Sequence, residues 1–246
     1  MTKRLRIFAG PNGSGKSTIE HLVSSNYKIG KLVNADIIER ELRENGQLNF
    51  TKTFGIKVSP LEFKKFLAEE SGFSKKENLL SLFTHLTFRS NFLLLKSTDT
   101  AYSYLGAILS EFIRTKLLDV GKTFSFETVM SHESKLDFIL EARKKGFKTY
   151  LYFVSTESAD INVARVKSRV EQGGHTVPED KIRSRYIRSL DLLAKAVKLS
   201  DRAFIFDNSG FSTPLLAEKN EGNLKILKSE VPDWFNKYLI ERLKGG

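Results

Sequence analysis

The chain has 246 residues, 40% of them hydrophobic, enough for one large α/β domain or a domain carrying an insertion. It has no cysteine, which excludes disulfides, thiol catalysis and Cys-ligated zinc, and no apolar run of 18 residues, so no membrane span is expected. The formal net charge of +11, from 40 basic and 29 acidic side chains, suits a polyanionic partner such as a nucleotide or nucleic acid, and equally a solvated basic surface.

Leu5–Ala9 is a short apolar run with the look of a buried strand. Directly after it come Gly10-Pro11-Asn12-Gly13-Ser14-Gly15-Lys16-Ser17-Thr18, a match to G-x-x-x-x-G-K-[ST]. Glycines let the backbone curl so that successive N–H groups face one concavity, which holds phosphate oxygens. Lys16 can reach the β- and γ-phosphates, and the Ser17 hydroxyl can ligate Mg²⁺. A helix opening near Lys16 points its positive end at the same anion. The motif leaves no room before it for a signal peptide, and a cytoplasmic location is expected.

Further strands are expected at Lys31–Asn34, Thr123–Phe126, Thr149–Val154 and Ala203–Phe206. Helices are expected from a Ser131 cap to about Lys145, from about Ala159 to Gln172, and from Pro178 along the Ile182, Tyr186, Leu190, Leu193, Val197 stripe. A terminal helix is expected over 231–243, packed by Trp234, Phe235 and Leu239. Alternating strands and helices predict an α/β, three-layer P-loop NTPase/kinase fold with a parallel doubly wound sheet. The stretch 37–118 interrupts the alternation. Glu62–Ser71, Lys75–Leu86 and Tyr102–Leu118 read as amphipathic helices and Ile56–Val58 as extended, so it is expected to be a helical insertion. The core then covers about 1–36 and 120–215.

Three groups of residues carry candidate chemistry. Asp36, in Asn34-Ala35-Asp36 at the end of the second strand, can accept a proton from an attacking hydroxyl; it can equally be an ordinary helix cap. Glu127 and Thr128 end the strand Phe124-Ser125-Phe126, where a carboxylate can bind the acceptor or the hydration shell of Mg²⁺; a cap or salt bridge is the plainer alternative. Arg165 and Arg169 share one helix face, and Gly173-Gly174-His175 separates them from Lys181, Arg183, Arg185 and Arg188. Two Arg-bearing helices joined by glycines suit a lid over about 160–190 that stabilises charge on a transferring phosphoryl group. Asp207-Asn208-Ser209 reads as a turn at the end of the last core strand.

Together Gly10–Thr18, Asn34-Ala35-Asp36, Phe126-Glu127-Thr128, Gly173-Gly174-His175-x-Val177-Pro178 and Phe206-Asp207-Asn208-Ser209 resemble the zeta toxin family of P-loop proteins. The resemblance covers about residues 3–36 and 120–210. It implies a kinase of toxin–antitoxin type that uses ATP and Mg²⁺ to phosphorylate a hydroxyl of a nucleotide-sugar such as UDP-N-acetylglucosamine, with an antitoxin as protein partner. It implies Lys16 and Ser17 on phosphates and metal and Asp36 as general base. Arg165 and Arg169 become clamps on the γ-phosphate, and Glu127, Thr128 and Arg185 join Asp36 in holding the acceptor. The alternatives are an ATP-hydrolysing regulatory protein with a protein partner, and a polynucleotide kinase.

Overall fold

The chain divides into two units, Met1–Gly30 with Thr123–Gly246, and Lys31–Lys122. The computed structural model describes residues 2–70, 86–89, 91–95, 102–174 and 176–245.

The first unit is built on strands β1 (Arg4–Ala9), β6 (Phe124–Thr128), β7 (Lys148–Ser155) and β8 (Arg202–Asp207), which run parallel in the spatial order β8-β7-β1-β6. Leu5, Ile7 and Ala9 of β1, Leu151 and Phe153 of β7, and Ala203 and Ile205 of β8 are fully buried, so these strands read as apolar runs rather than alternations. Phe8, Tyr152 and Phe204 stack across β1, β7 and β8 with ring centroids 5.1 and 5.0 Å apart. The expected strands are all present, each within a residue or two of its predicted bounds.

Helices α1 (Lys16–Asn26), α6 (Ser134–Lys144), α7 (Ala159–Glu171) and α8 (Glu179–Leu199) connect the strands. The sequence placed the start of α6 at a Ser131 cap. The helix starts later, where His132 Nδ1 accepts from the Ser134 N–H at 3.2 Å. A final helical run over 233–244 buries Trp234, Phe235 and Leu239 as expected and includes a π turn at Asn236–Ile240.

Strands β9 (Leu215–Asn220) and β10 (Asn223–Ile226) add an antiparallel hairpin beyond β8, which the sequence reading missed. Its turn, Glu221-Gly222, has φ of 48° and 90°. Two left-handed residues are what a two-residue hairpin loop requires, and glycine at the second supplies one without strain. The Asn220–Asn223 stretch was therefore a legible turn signal. Lys219 of β9 turns inward beneath α8. Its Nζ donates to the carbonyls of Val197, Lys198 and Ser200 at 2.7–2.9 Å and closes the orphan end of that helix.

The second unit differs from the helical insertion that was expected. It holds β2 (Lys31–Val33), α2 (Ala35–Asn45), α3 (Phe50–Phe54), α4 (Pro60–Lys65) and α5 (Tyr102–Asp119), but also a three-stranded antiparallel sheet. That sheet has the order β3 (Gln47–Asn49), β5 (Phe92–Leu95), β4 (Leu86–Arg89). Strands of three or four residues offer too few alternations to compete with a helical pattern. The helix expected over 75–86 falls outside the described residues except Leu86, which begins β4. Ile56–Val58 joins no strand, and the helix begun at Pro60 passes into a π turn at Phe66–Glu70. Phe50, Phe63, Phe66 and Phe112 form the core of this unit, with Phe63 and Phe112 edge to face at 4.9 Å. This explains the Phe-rich composition of the stretch.

Lys219→Met is expected to leave three helix-end carbonyls without their donor. It should cost about 1–3 kcal/mol of stability, read as a lowered thermal unfolding midpoint.

Candidate phosphate-binding site

The loop from Gly10 to Gly15 leaves the C-terminal end of β1, the centre of the parallel strands, where ligands of open α/β sheets bind. The Gly10 N–H donates to the Thr128 carbonyl at 3.3 Å, tying the loop to the end of β6. A Cβ on Gly10 would sit 2.0 Å from the Val154 carbonyl oxygen, so no other residue fits where the loop crosses β7. Gly15 caps α1 with φ of 92°, and a Cβ there would meet the Asn208 amide nitrogen at 2.1 Å.

No side chain caps α1 and no acidic residue stands in its first turn. The first amides of that helix and its positive end are left for an anion. Ser14 Oγ and Asn12 Oδ1 are buried in the loop without a hydrogen-bond partner among the described residues. A buried, unpaired hydroxyl donor beside an uncapped helix start fits a phosphate. Lys16 Nζ donates to the Pro11 carbonyl at 2.9 Å, which holds the ammonium along the loop. Ser17 and Thr18 are exposed at the head of α1. Ser17 Oγ so placed fits a cation that takes most of its ligands from phosphate and water, as Mg²⁺ does.

Two asparagines hold the loop from beneath. Asn162 of α7 is fully buried; its Nδ2 donates to the Asn12 carbonyl, and its Oδ1 accepts from Thr156 Oγ1. Asn208 follows β8, and its Nδ2 donates to the Ser14 carbonyl at 2.8 Å. Thr213 Oγ1 donates to Asn208 Oδ1 at 2.7 Å, and the Asn208 N–H donates to the Ser155 carbonyl at 2.7 Å. The turn expected at Asp207-Asn208-Ser209 is present, with the further task of carrying the loop. Sequence reasoning passed over Asn162 and Thr156. An asparagine on the apolar face of a helix, between Ile161 and Val163, was the available signal.

Arg165 lies one turn beyond Asn162. Its Nη1 donates to the Asn208 carbonyl at 2.7 Å, so its position is set by the same support. Arg169, a turn further on, is exposed. Arg185 of α8 is half-buried, and burial first, then the Arg188 charge, moves its pKa below the ordinary guanidinium value. The expected lid helices are packed together: Val163, Val166 and Ile182 form a small core with Val170 and Val177. Arg183 bridges Asp160 at 2.7 Å and Glu179 at 2.9 Å, and Lys167 reaches Glu179 at 3.3 Å. Arg183 is thereby committed to joining α7 to α8. His175 lies outside the described residues.

Glu127 and Thr128 end β6, in register with Phe8 and Ala9 of β1, and both are half-buried. Thr128 Oγ1 accepts from the Met130 N–H at 3.1 Å, and Met130 holds φ of 52°, a left-handed conformation rare for a long side chain. In the other unit, Asn34 and not Asp36 caps α2. Asn34 Oδ1 accepts from the Asp36 and Ile37 N–H groups at 2.9 and 3.4 Å. Asp36 stands in the first turn with an exposed carboxylate, so the capping role is already filled.

Asn162→Ala is expected to lose the buried bonds to Asn12 and Thr156 and to lower stability by about 1–3 kcal/mol. Nucleotide affinity measured by calorimetry should weaken as the loop loses its support.

No family model matches the chain. A Haemophilus influenzae protein described only as uncharacterized is 35% identical over 63 residues, which are 26% of this chain and 45% of that protein. Two crystal structures of AvrRxo1-ORF1:-ORF2 are similar over almost the whole chain. The one with ATP aligns at a TM-score of 0.55 and 13% identity, over 98% of this chain and 63% of that one. The one with sulphate ions aligns at 0.53 and 17%, over 99% of this chain and 71% of that one. The chain thus spans about two thirds of the length of these solved structures and less than half of the curated relative. The likeness is one of architecture: the chain shares the fold of these structures, an α/β fold with a mostly parallel sheet, as the alternation of strands and helices in its sequence implied.

Proposed function

We propose that this chain is an ATP-dependent phosphotransferase acting on a hydroxyl of a small molecule. The observation that carries the reading is the cradle itself: an uncapped helix start, a loop held open by Asn162 and Asn208, and a buried, unpaired Ser14 hydroxyl, all facing one end of β1. Such a cradle binds the phosphates of a nucleoside triphosphate by backbone N–H groups, with Lys16 neutralising the β- and γ-oxygens. Mg²⁺, held through Ser17, would add charge neutralisation at the phosphates when bound. Arg165 and Arg169 supply charge on α7 for the transferring group, with Arg165 already oriented by Asn208.

On the resemblance to the zeta toxins, Asp36 is assigned as the base that takes the proton from the acceptor hydroxyl as its oxygen bonds to the γ-phosphorus. The bond from that phosphorus to the bridging oxygen breaks, and ADP leaves. The exposed Asp36 carboxylate, relieved of capping by Asn34, supports this role. Glu127, Thr128 and Arg185 are assigned to the acceptor. A nucleotide-sugar such as UDP-N-acetylglucosamine is the acceptor class, and an antitoxin the protein partner, on the resemblance to the zeta toxins.

The test is transfer of labelled γ-phosphate from ATP to nucleotide-sugars, nucleotides and oligonucleotides. Lys16→Ala is expected to lower turnover about 100-fold or more. Asp36→Asn is expected to bind ATP as the parent does and to lose transfer by about 100- to 10,000-fold. Full turnover by Asp36→Asn would remove it as the base. Slow hydrolysis indifferent to every acceptor would favour a regulatory ATPase, and transfer to oligonucleotide ends a polynucleotide kinase.

A further inference from the structure

In the first unit a cavity of about 300 Å³ opens at the end of the parallel strands opposite the phosphate loop. Lys148 opens β7, Asp201 precedes β8, and Glu221 stands in the turn of the β9–β10 hairpin. Arg143 from the last turn of α6 and Lys198 from the last turn of α8 complete the wall with Lys219. The charged lining therefore sets Arg143, Lys148, Lys198 and Lys219 against Asp201 and Glu221, an excess of two positive charges.

The end of a helix ordinarily draws cations to its free carbonyls. At the end of α8 that demand is already met. Lys219 Nζ holds the carbonyls of Val197, Lys198 and Ser200, and Arg143 Nη1 donates to that of Leu199 at 3.0 Å. Asp201 is committed too. Its Oδ2 accepts from the Thr149 N–H and Oγ1 at 2.7 and 2.8 Å, and its Oδ1 faces Arg143 Nε at 3.4 Å. Lys148 and Lys198 are exposed and join no ion pair among the described residues. Burial first, and then the Arg143 charge, hold the Lys219 ammonium below its ordinary pKa, with Asp201 opposing them less strongly. Positive charge is thus gathered where neither the carbonyls nor Asp201 remain to balance it. Ammonium groups facing one concavity suit a compact, multiply charged anion.

We propose that this cavity is a second anion site, which takes the phosphoryl group of a small phosphorylated molecule between Lys148 and Lys198. Its volume, about 300 Å³, lies in the range of small-molecule pockets. The Glu221 carboxylate at the hairpin turn opposes a strand of phosphates running past, which favours a small ligand over a polymer. The site shares no residue with the cradle at the head of α1, so the two can be read separately.

The experiment is an amide-resolved NMR titration of the whole chain with inorganic pyrophosphate. It reads Asp201 and Gly222 for the cavity and Gly13 and Gly15 for the phosphate loop. The cavity amides are expected to shift saturably, and to do so unchanged in Lys16→Ala. Lys148→Gln combined with Lys198→Gln should raise the Kd read at Gly222 about 3- to 30-fold and leave the response of Gly13 and Gly15 as in the parent. Glu221→Gln should lower the Kd at Gly222. Any of four results would overturn the proposal: no saturable shift at Gly222, an unchanged Kd there in the double lysine variant, the same shifts with sodium chloride at equal ionic strength, or loss of the Gly222 response in Lys16→Ala. An oligonucleotide that moves the same amides at lower concentration than pyrophosphate would also overturn it, in favour of a nucleic-acid surface.

Discussion

The loop from Gly10 to Gly15 is a length of curled backbone, with the Gly10 N–H turned to the Thr128 carbonyl and the Ser14 N–H to the Pro11 carbonyl, each at 3.3 Å. Such a curl satisfies the Pro11 carbonyl from within, and its other carbonyls need partners from elsewhere in the fold. Here Asn162 takes the carbonyl of Asn12 and Asn208 takes that of Ser14, while Gly10 threads past Val154 with no space for a side chain. With those two carbonyls engaged, the loop holds its curl at the uncapped head of α1. The two asparagines come from the ends of different connections, one on α7 and one after β8. The strand order β8-β7-β1-β6 is what brings them under the same loop.

The same supports reach further into the site. Thr156 donates to Asn162 and accepts at its own carbonyl from Tyr186 of α8 at 2.7 Å. Arg165 is oriented by Asn208, and Asp207 is gripped by Ser209 and Trp234. The final helical run thus buttresses the loop after β8 as well as covering apolar surface. Burial of the Tyr186 ring and its hydroxyl bond make α8 part of this scaffold. The basic residues between 160 and 190 divide accordingly. Arg183 and Lys167 join the helices through Glu179 and Asp160, and Arg165 serves the support of the loop. A basic cluster in a sequence is not one functional group; its members part company once carboxylates and carbonyls come within reach.

In the second unit, the cap of α2 decides what Asp36 is available for. Asx side chains compete for the first amides of a helix, and the residue at the N-cap position wins because its backbone is extended. Asn34 has φ of −133° and ψ of 125°, and it takes the two amides. Asp36, two positions later, already has helical backbone and projects outward. The Phe-rich stretch has an equally local explanation: Phe50, Phe63, Phe66 and Phe112 pack on one another as a core for this unit.

Gly10–Ser17 after an apolar run, the further core strands and the helices between them were readable in the sequence, because each depends on neighbours within a few residues. The hairpin β9–β10 was readable too, from Glu221-Gly222, but was not read. Local pattern misjudged the second unit, where three- and four-residue strands are stabilised by pairing with partners as far apart as Gln47 and Leu94. Pattern could not find Asn162 either, since a polar residue on an apolar helix face acquires meaning only from the carbonyl brought to it, 150 residues distant in the chain. The sequence by itself determined that a glycine-rich turn with the spacing of a phosphate loop would stand at the head of α1. Only the tertiary structure decided what keeps that turn open, because the hydrogen bonds that do so join residues that the chain does not place near one another.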